Sequence, residues 1–140
     1  MKTMSFGSLL CIMLLASSCQ NNPDIENLET GTWHITDFKE KGILYKNEFR
    51  AYLFRFDAHN AIHAFYNHHT YNGKWSIKSD YITDDEPFAD SYLSISMKEK
   101  PFKNINGNYV ITYFSENKLT LESENFLQRP PVFITLKKVE

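Results

Sequence analysis

Cysteine is scarce in this sequence, and both copies lie close to its start. The 140 residues contain only Cys11 and Cys19. If the N-terminal segment is removed and Cys19 is modified, as the pattern described below predicts, the folded part keeps no free thiol. We therefore expect no disulfide, no thiol nucleophile and no cysteine metal ligand, so that stability must come from the core alone.

An excess of one charge sign is also missing. Fifteen basic side chains stand against 17 acidic ones, which gives a formal net charge of −2. Such a balance provides no basic footprint for nucleic acid and no basic patch for anionic lipid. The sequence also lacks a Gly-x-Ser-x-Gly nucleophile elbow and a phosphate-binding glycine loop. We expect no nucleic-acid partner, no cofactor and no enzymatic activity.

Long apolar runs are absent, but one short run follows the first residues. Residues 4–16 carry no charge and come after the single positive charge of Lys2. A membrane-spanning helix needs about 20 apolar residues, so this run is too short to span. A basic start, an apolar run of about a dozen residues and small residues at its end are typical of an export signal. We predict that residues 1–18 are a signal peptide.

The end of this segment is more specific. Leu15-Ala16-Ser17-Ser18-Cys19 resembles the lipobox of bacterial lipoproteins, although its leucine stands one place further from the cysteine than in the commonest form. The resemblance implies that Cys19 is acylated, as with palmitate, and becomes the first residue of the mature chain. It also implies a lipid-anchored protein of the bacterial cell envelope, expected at the outer membrane, on either its periplasmic or its surface face. Residues 19–27 are then a lipidated tether, and residues 28–140 are the folded domain.

Alternation of apolar and polar residues dominates the rest of the chain and predicts strands. We predict eight of them, at residues 32–38, 52–56, 61–67, 71–78, 92–98, 107–114, 119–122 and 132–138. Asn72-Gly73 is also a strong hairpin-turn signal, and residues 39–51 are the best place for a short helical turn. Eight short strands in a chain of this length predict an all-β, antiparallel up-and-down barrel, with a two-sheet β-sandwich as the alternative.

The predicted inward faces are bulky. They consist of Trp33, Phe54, Phe56, Trp75, Leu93, Ile95, Leu119, Leu121, Ile134 and Leu136. An eight-stranded barrel is just wide enough to be filled by its own side chains or to hold one small ligand. The set therefore favours either a small apolar pocket at one mouth or a solid barrel that works through its outer surface.

The first strand suggests a family. Gly31-Thr32-Trp33 resembles the Gly-x-Trp that opens lipocalin-like domains. Phe54-Arg55-Phe56-Asp57 and residues 71–77 fit the small lipocalin-like lipoproteins of Bacteroidota. The resemblance implies a lipocalin-like barrel that binds a small hydrophobic or amphipathic molecule. Trp33, Phe54, Phe56 and Trp75 are the candidate ligand-binding residues, although Trp33 is also suited to a structural role as the plug of one barrel end.

Two clusters of polar residues suggest metals, but their spacing argues against them. His59, His63, His68 and His69 are close in sequence, and three imidazoles are able to bind zinc. The adjacent His68 and His69 would face opposite sides of a strand, however, and His59 would lie about 25–30 Å from them along it. The acidic segment 80–90 lacks the alternating order of a calcium loop. We expect no metal site.

A second functional hypothesis remains open. The barrel would be a scaffold, and its loops would bind a protein, as in an inhibitor, an immunity protein or an accessory subunit of an envelope complex. Loops 84–90 and 124–131 are the candidate surfaces, with Phe126 and Leu127 as apolar anchors. An apolar cavity that opens to the surface would favour the ligand-binding hypothesis, and a fully packed interior would count against it.

Overall fold

The computed structural model describes residues 23–40, 43–44, 48–79, 91–124 and 130–140. Several predictions therefore lie outside the described residues: the signal peptide, acylation of Cys19, the acidic segment 80–90, and the proposed anchors Phe126 and Leu127.

The described chain is almost entirely antiparallel β-structure. A helix, α1, occupies Pro23–Glu29, and a 3₁₀ helix occupies Lys100–Ile105. The strands are β1 (Trp33–Glu40), β2 (Ile43–Leu44), β3 (Leu53–Phe56), β4 (Ala61–Tyr66), β5 (His69–Ser79), β6 (Ser91–Met97), β7 (Gly107–Phe114), β8 (Lys118–Ser123) and β9 (Val132–Lys138).

Eight of these strands form a closed barrel. From β3 to β9 each strand pairs with the next, while β1 pairs with both β3 and β9, and β2 is a short addition to the end of β1. The β1–β9 ladder runs from Trp33↔Lys138 to Glu40↔Val132, whereas β1 and β3 share the single pair Trp33↔Phe54. The predicted up-and-down barrel is confirmed. The sandwich alternative is wrong because the first strand joins the last and closes a single sheet.

The barrel has two ends that differ in what covers them. At the proximal end, β1 begins and β9 terminates, and helix α1 and the turns at residues 57–60 and 115–117 lie there. At the distal end lie the turn at residues 67–68, the 3₁₀ helix and the start of β9.

The predicted core is confirmed residue by residue. All ten side chains predicted to face inward are buried, and none is more than 5% exposed. The strands alternate as the sequence indicates; in β3, for instance, Phe54 and Phe56 are buried while Leu53 and Arg55 are exposed. Full burial of one large apolar side chain contributes about 1.5–3 kcal/mol to folding.

Helix α1 lies where a polar tether was predicted. Pro23 stands at its first position, where a missing N–H and a fixed φ favour a helix. Leu28 near its end is fully buried, and Gly31, at φ 83°, turns the chain toward β1. A seven-residue helix is not stable alone. It forms here because it packs on the barrel, which the sequence pattern did not reveal.

The predicted strand at residues 71–78 lies within β5, and the turn signal at Asn72-Gly73 does not form a turn. Both residues lie inside β5, paired with His63 and Ile62, and the hairpin turns at Asn67, whose φ is 53°. Gly73 has another role. A Cβ at this position would lie 2.5 Å from the Ser96 carbonyl oxygen, so only glycine allows β5 and β6 to approach this closely.

Candidate functional site

A cleft opens at the distal end of the barrel. It lies among the end of β1, the 3₁₀ helix, the start of β7, the end of β8 and the start of β9, and its volume is about 540 Å³. Pockets that bind small molecules are commonly about 300–1,000 Å³. The cleft is therefore large enough for a small ligand.

The cleft combines apolar and polar groups. Phe38, Tyr109 and Val132 supply apolar surface, of which Phe38 and Tyr109 are buried and Val132 is half-buried. The remaining lining is mostly polar: Glu40, Lys103, Asn104, Asn106, Gly107, Asn108, Ser123, Glu124 and Pro130. Ligand sites are usually lined mainly by apolar side chains with a few polar groups, and this cleft is more polar than that.

Internal hydrogen bonds hold the walls of the cleft in place. The Tyr109 hydroxyl donates to the Ile105 carbonyl oxygen at 2.7 Å, and burial raises the pKa of this hydroxyl, which keeps it a neutral donor. The Asn106 amide donates to the Met97 carbonyl and accepts from the Met97 N–H, both at 2.7 Å. These groups position the 3₁₀ helix against β6 and β7. Their hydrogen-bonding capacity is used within the protein rather than for a ligand.

Three charged groups remain at the rim. Lys103 and Glu124 are exposed and Glu40 is half-buried. None of the hydrogen bonds and ion pairs found among the described side chains involves these three groups. Two carboxylates and one ammonium are thus available to orient the polar part of a bound molecule. Such groups fix orientation and specificity, while the apolar floor supplies contact area.

Phe102 fills the distal end of the barrel interior. Its side chain is fully buried on the 3₁₀ helix. Its ring centroid lies 5.0 Å from that of Tyr52, 5.2 Å from Tyr71, 6.1 Å from Phe54 and 6.2 Å from Phe49. These are the edge-to-face and stacked separations that aromatic rings prefer. The ring therefore closes the barrel axis beneath the distal surface.

The four predicted ligand-binding residues all lie in the packed core. The Trp33 indole N–H donates to the Leu28 carbonyl at 3.0 Å, and that of Trp75 donates to the Asp57 carbonyl at 3.0 Å. Phe56 packs edge-on against Trp75, and Phe54 packs against the Phe102 ring described above. None of the four lines the distal cleft or either of two clefts on the outer surface. Each has a structural role, as suggested for Trp33, and their contact with a ligand stays a prediction.

The histidines are not brought together into a metal centre. The His63 Nδ1 lies 2.7 Å from the Asn72 side-chain oxygen, and its Nε2 lies 4.0 Å from a carboxylate oxygen of Asp57. His68 and His69 are exposed at the opposite end of β4. Within the described ranges, no three His, Cys, Asp or Glu side chains are placed to hold a metal ion.

Sequence reasoning suggested a pocket at one mouth of the barrel but did not identify the residues that line this cleft, because the 3₁₀ helix was not predicted. The 3₁₀ helix lies in a connection that shows no strand pattern. Pro101 at its start and the three-residue spacing of Phe102 and Ile105 were the available signals, since residues three apart lie on one face of such a helix.

Two smaller clefts lie on the outer surface. One, of about 190 Å³, is lined by Lys78, Tyr92, Ser94, Asn108 and Glu124. The other, of about 490 Å³, lies over β1, β7, β8 and β9 and includes Phe133, which is 39% exposed. In the described part of the chain, no helix has both the length and the apolar character needed to cross a bilayer.

Comparison with known proteins supports the fold. No protein-family model matches the chain, and no curated protein matches it. Among solved structures, the chain is similar to the crystal structure of a DUF4847 family protein from Bacteroides vulgatus. The two share 16% identity over 82% of this chain and 98% of that chain, with a TM-score of 0.51. At this identity the likeness shows the fold alone, a small β-barrel domain that is also found in a Bacteroides protein.

Proposed function

We propose that this chain is a non-catalytic binding protein, anchored by lipid to the bacterial cell envelope, that takes a small amphipathic ligand in its distal cleft. The observation that carries the proposal is the contrast between the two possible sites. The barrel interior is filled by buried side chains, whereas the distal cleft offers about 540 Å³ with an apolar floor and a charged rim. We therefore locate the proposed site at one mouth of the barrel, as the sequence suggested, rather than among the four candidate residues in the core.

The arrangement of the cleft fits a molecule with two different parts. An apolar portion would rest against Phe38 and Val132, and a polar or cationic portion would meet Glu40 and Glu124 at the rim. Burial of the apolar portion supplies about 25 cal/mol for each Å² removed from water. The rim charges then select among ligands that share an apolar portion.

The ligand site is tested by mass spectrometry of small molecules that co-purify with the protein from native membranes. In Val132→Trp the larger side chain takes up part of the cleft, and we expect recovery of the co-purifying molecule to fall. Thr70→Trp is the matched control because Thr70 is exposed on β5 and lines none of the described clefts. Equal recovery of the molecule from both folded variants would contradict the proposal.

The anchor is tested through the two cysteines. We expect Cys19→Ser to lose incorporation of labelled palmitate and to leave the membrane fraction. Cys11→Ser, which changes a residue inside the predicted signal, should retain both properties. Undiminished labelling of Cys19→Ser would refute lipidation at this residue.

The protein-interaction alternative keeps one supporting observation. Tyr113 and Phe133 are 52% and 39% exposed, and both belong to strands at the outer cleft over β7–β9. Aromatic side chains are enriched at the cores of protein interfaces. Capture of a stoichiometric protein from envelope extract by the wild type, and its loss in Tyr113→Ser with Phe133→Ser, would favour this alternative over the ligand-binding function.

A further inference from the structure

Helix α1 is fixed to the proximal end of the barrel rather than hanging from it. Leu28 is fully buried, and its carbonyl accepts the Trp33 indole N–H at 3.0 Å. The Thr30 N–H continues the helical bonding by donating to the Glu26 carbonyl at 3.0 Å. The chain therefore enters β1 from a helix whose position is set by the core.

Lys138, the last residue of β9, holds the end of this helix. Its ammonium donates to the Asn27 carbonyl at 2.9 Å and to the Thr30 hydroxyl at 3.2 Å, and it lies 5.0 Å above the Trp33 ring. A cation at the C-terminal end of a helix is stabilised by the exposed carbonyls and the helix dipole. The stem of Lys138 fills the space beside Gly31, where a Cβ would lie 3.2 Å from its Cδ. The two ends of the described chain are thereby joined.

The chain that precedes α1 is short. Only Gln20, Asn21 and Asn22 stand between Cys19 and Pro23. Four Cα-to-Cα steps span at most about 14 Å. A lipid on Cys19 therefore keeps the start of α1 within about that distance of the bilayer surface, and the proximal end stays with it.

The distal cleft lies at the other end of the strands. Val132 lines the cleft, and Lys138 holds α1. The six steps of β9 between them cover about 20 Å at ~3.4 Å per residue. The anchor and the cleft are thus separated by the length of the barrel.

We infer that the domain stands on the membrane with its proximal end against the lipid headgroups and its distal cleft facing the aqueous phase. This inference rests on the lipid anchor of the proposed function. Only three residues separate the predicted lipidated Cys19 from helix α1, so the domain does not turn freely above its anchor. The cleft accordingly receives its ligand from solution or from a facing partner, and not from the bilayer that holds the anchor.

Fluorescence quenching in vesicles tests this orientation. Apart from Cys19, the predicted mature chain has no cysteine, so a single introduced cysteine in the lipidated protein is labelled cleanly. Glu116→Cys places a fluorophore at the proximal end and His68→Cys places one at the distal end; both residues are exposed in turns. The vesicles contain phosphatidylethanolamine, phosphatidylglycerol and phosphatidylcholine with a spin-labelled headgroup. We expect Glu116→Cys to lose most of its fluorescence and His68→Cys to match its value in vesicles without spin label.

Equal quenching at the two sites, or stronger quenching at the distal site, would overturn the orientation. Flotation of each labelled protein with the vesicles measures the anchor separately. A protein that floats but shows equal quenching refutes the orientation alone, whereas a protein that does not float refutes the anchor and the orientation together. An insertion of about ten Gly and Ser residues before Pro23 forms a flexible linker. We expect it to preserve flotation and to abolish the difference in quenching.

Discussion

Phe102 offers the sharpest test of how the distal end is packed. Its ring is fully buried and lies within 6.2 Å, centroid to centroid, of four other aromatic rings. Phe102→Ala removes these contacts and leaves a cavity, which for a buried phenylalanine costs about 3–5 kcal/mol. Domains of this size are stable by about 5–15 kcal/mol. The substitution should therefore remove a large fraction of the free energy of unfolding.

Equilibrium unfolding in urea, followed by the fluorescence of Trp33 and Trp75, measures this loss. The transition midpoint should fall while the dependence on urea stays unchanged, because the surface exposed on unfolding is nearly the same. Phe133→Ala is the matched control, since Phe133 is 39% exposed on the outer face, and we expect it to cost less than about 1 kcal/mol. A loss below about 1 kcal/mol for Phe102→Ala would refute the assignment of this ring as the plug.

Two further substitutions test other parts of the barrel. Gly73→Ala should destabilise the fold by about 1–3 kcal/mol through overpacking, because the added Cβ would meet the Ser96 carbonyl oxygen. Urea unfolding measures this loss, and the control Lys74→Ala, at an exposed neighbouring position, should change the stability little. Equal losses in the two variants would count against the close approach of β5 and β6. Burial raises the pKa of Tyr109 in the folded state. The stabilisation that its neutral hydroxyl gives the fold is therefore complete below the unfolded-state pKa of about 10, and it is lost as the pH rises above that value. The urea midpoint should therefore fall between pH 9 and pH 11, as expected from titration of a tyrosine of ordinary pKa about 10 in the unfolded chain, and fall less steeply in Tyr109→Phe; identical slopes would contradict this role.

Much of the barrel was predictable because the relevant signal is local. Apolar residues at every second position of a strand share one face, so the buried residues of β3 and β9 could be read directly from the sequence. The limits of β7 and β9 agree with the predicted ones. Closure of the sheet was the favoured interpretation of eight short strands, but the pattern also allowed a two-sheet sandwich, and the pairing of β1 with β9 decides between them.

The ends of the barrel were not predictable in this way. Helix α1 and the 3₁₀ helix form because Leu28 and Phe102 are buried against strands that lie far away in the sequence. Neither segment has the length or the periodicity that reveals a helix. At Asn72-Gly73 a strong local turn signal is present, but the chain does not turn there. The glycine is needed instead because β5 requires a residue without a side chain beside β6. The lining of the distal cleft depends on the 3₁₀ helix and was missed with it.

The packing energy also decides where a ligand binds. A molecule that entered the barrel axis from the distal end would first have to displace the Phe102 ring from its aromatic neighbours. If displacement costs about as much as deleting the ring, or ~4 kcal/mol, affinity for an interior site would fall by about three orders of magnitude. The distal cleft requires no such displacement, because its volume is already open between the 3₁₀ helix and β9. A ligand of modest size therefore gains more by binding outside the plug than by replacing it, which is why we place the site at the mouth of the barrel.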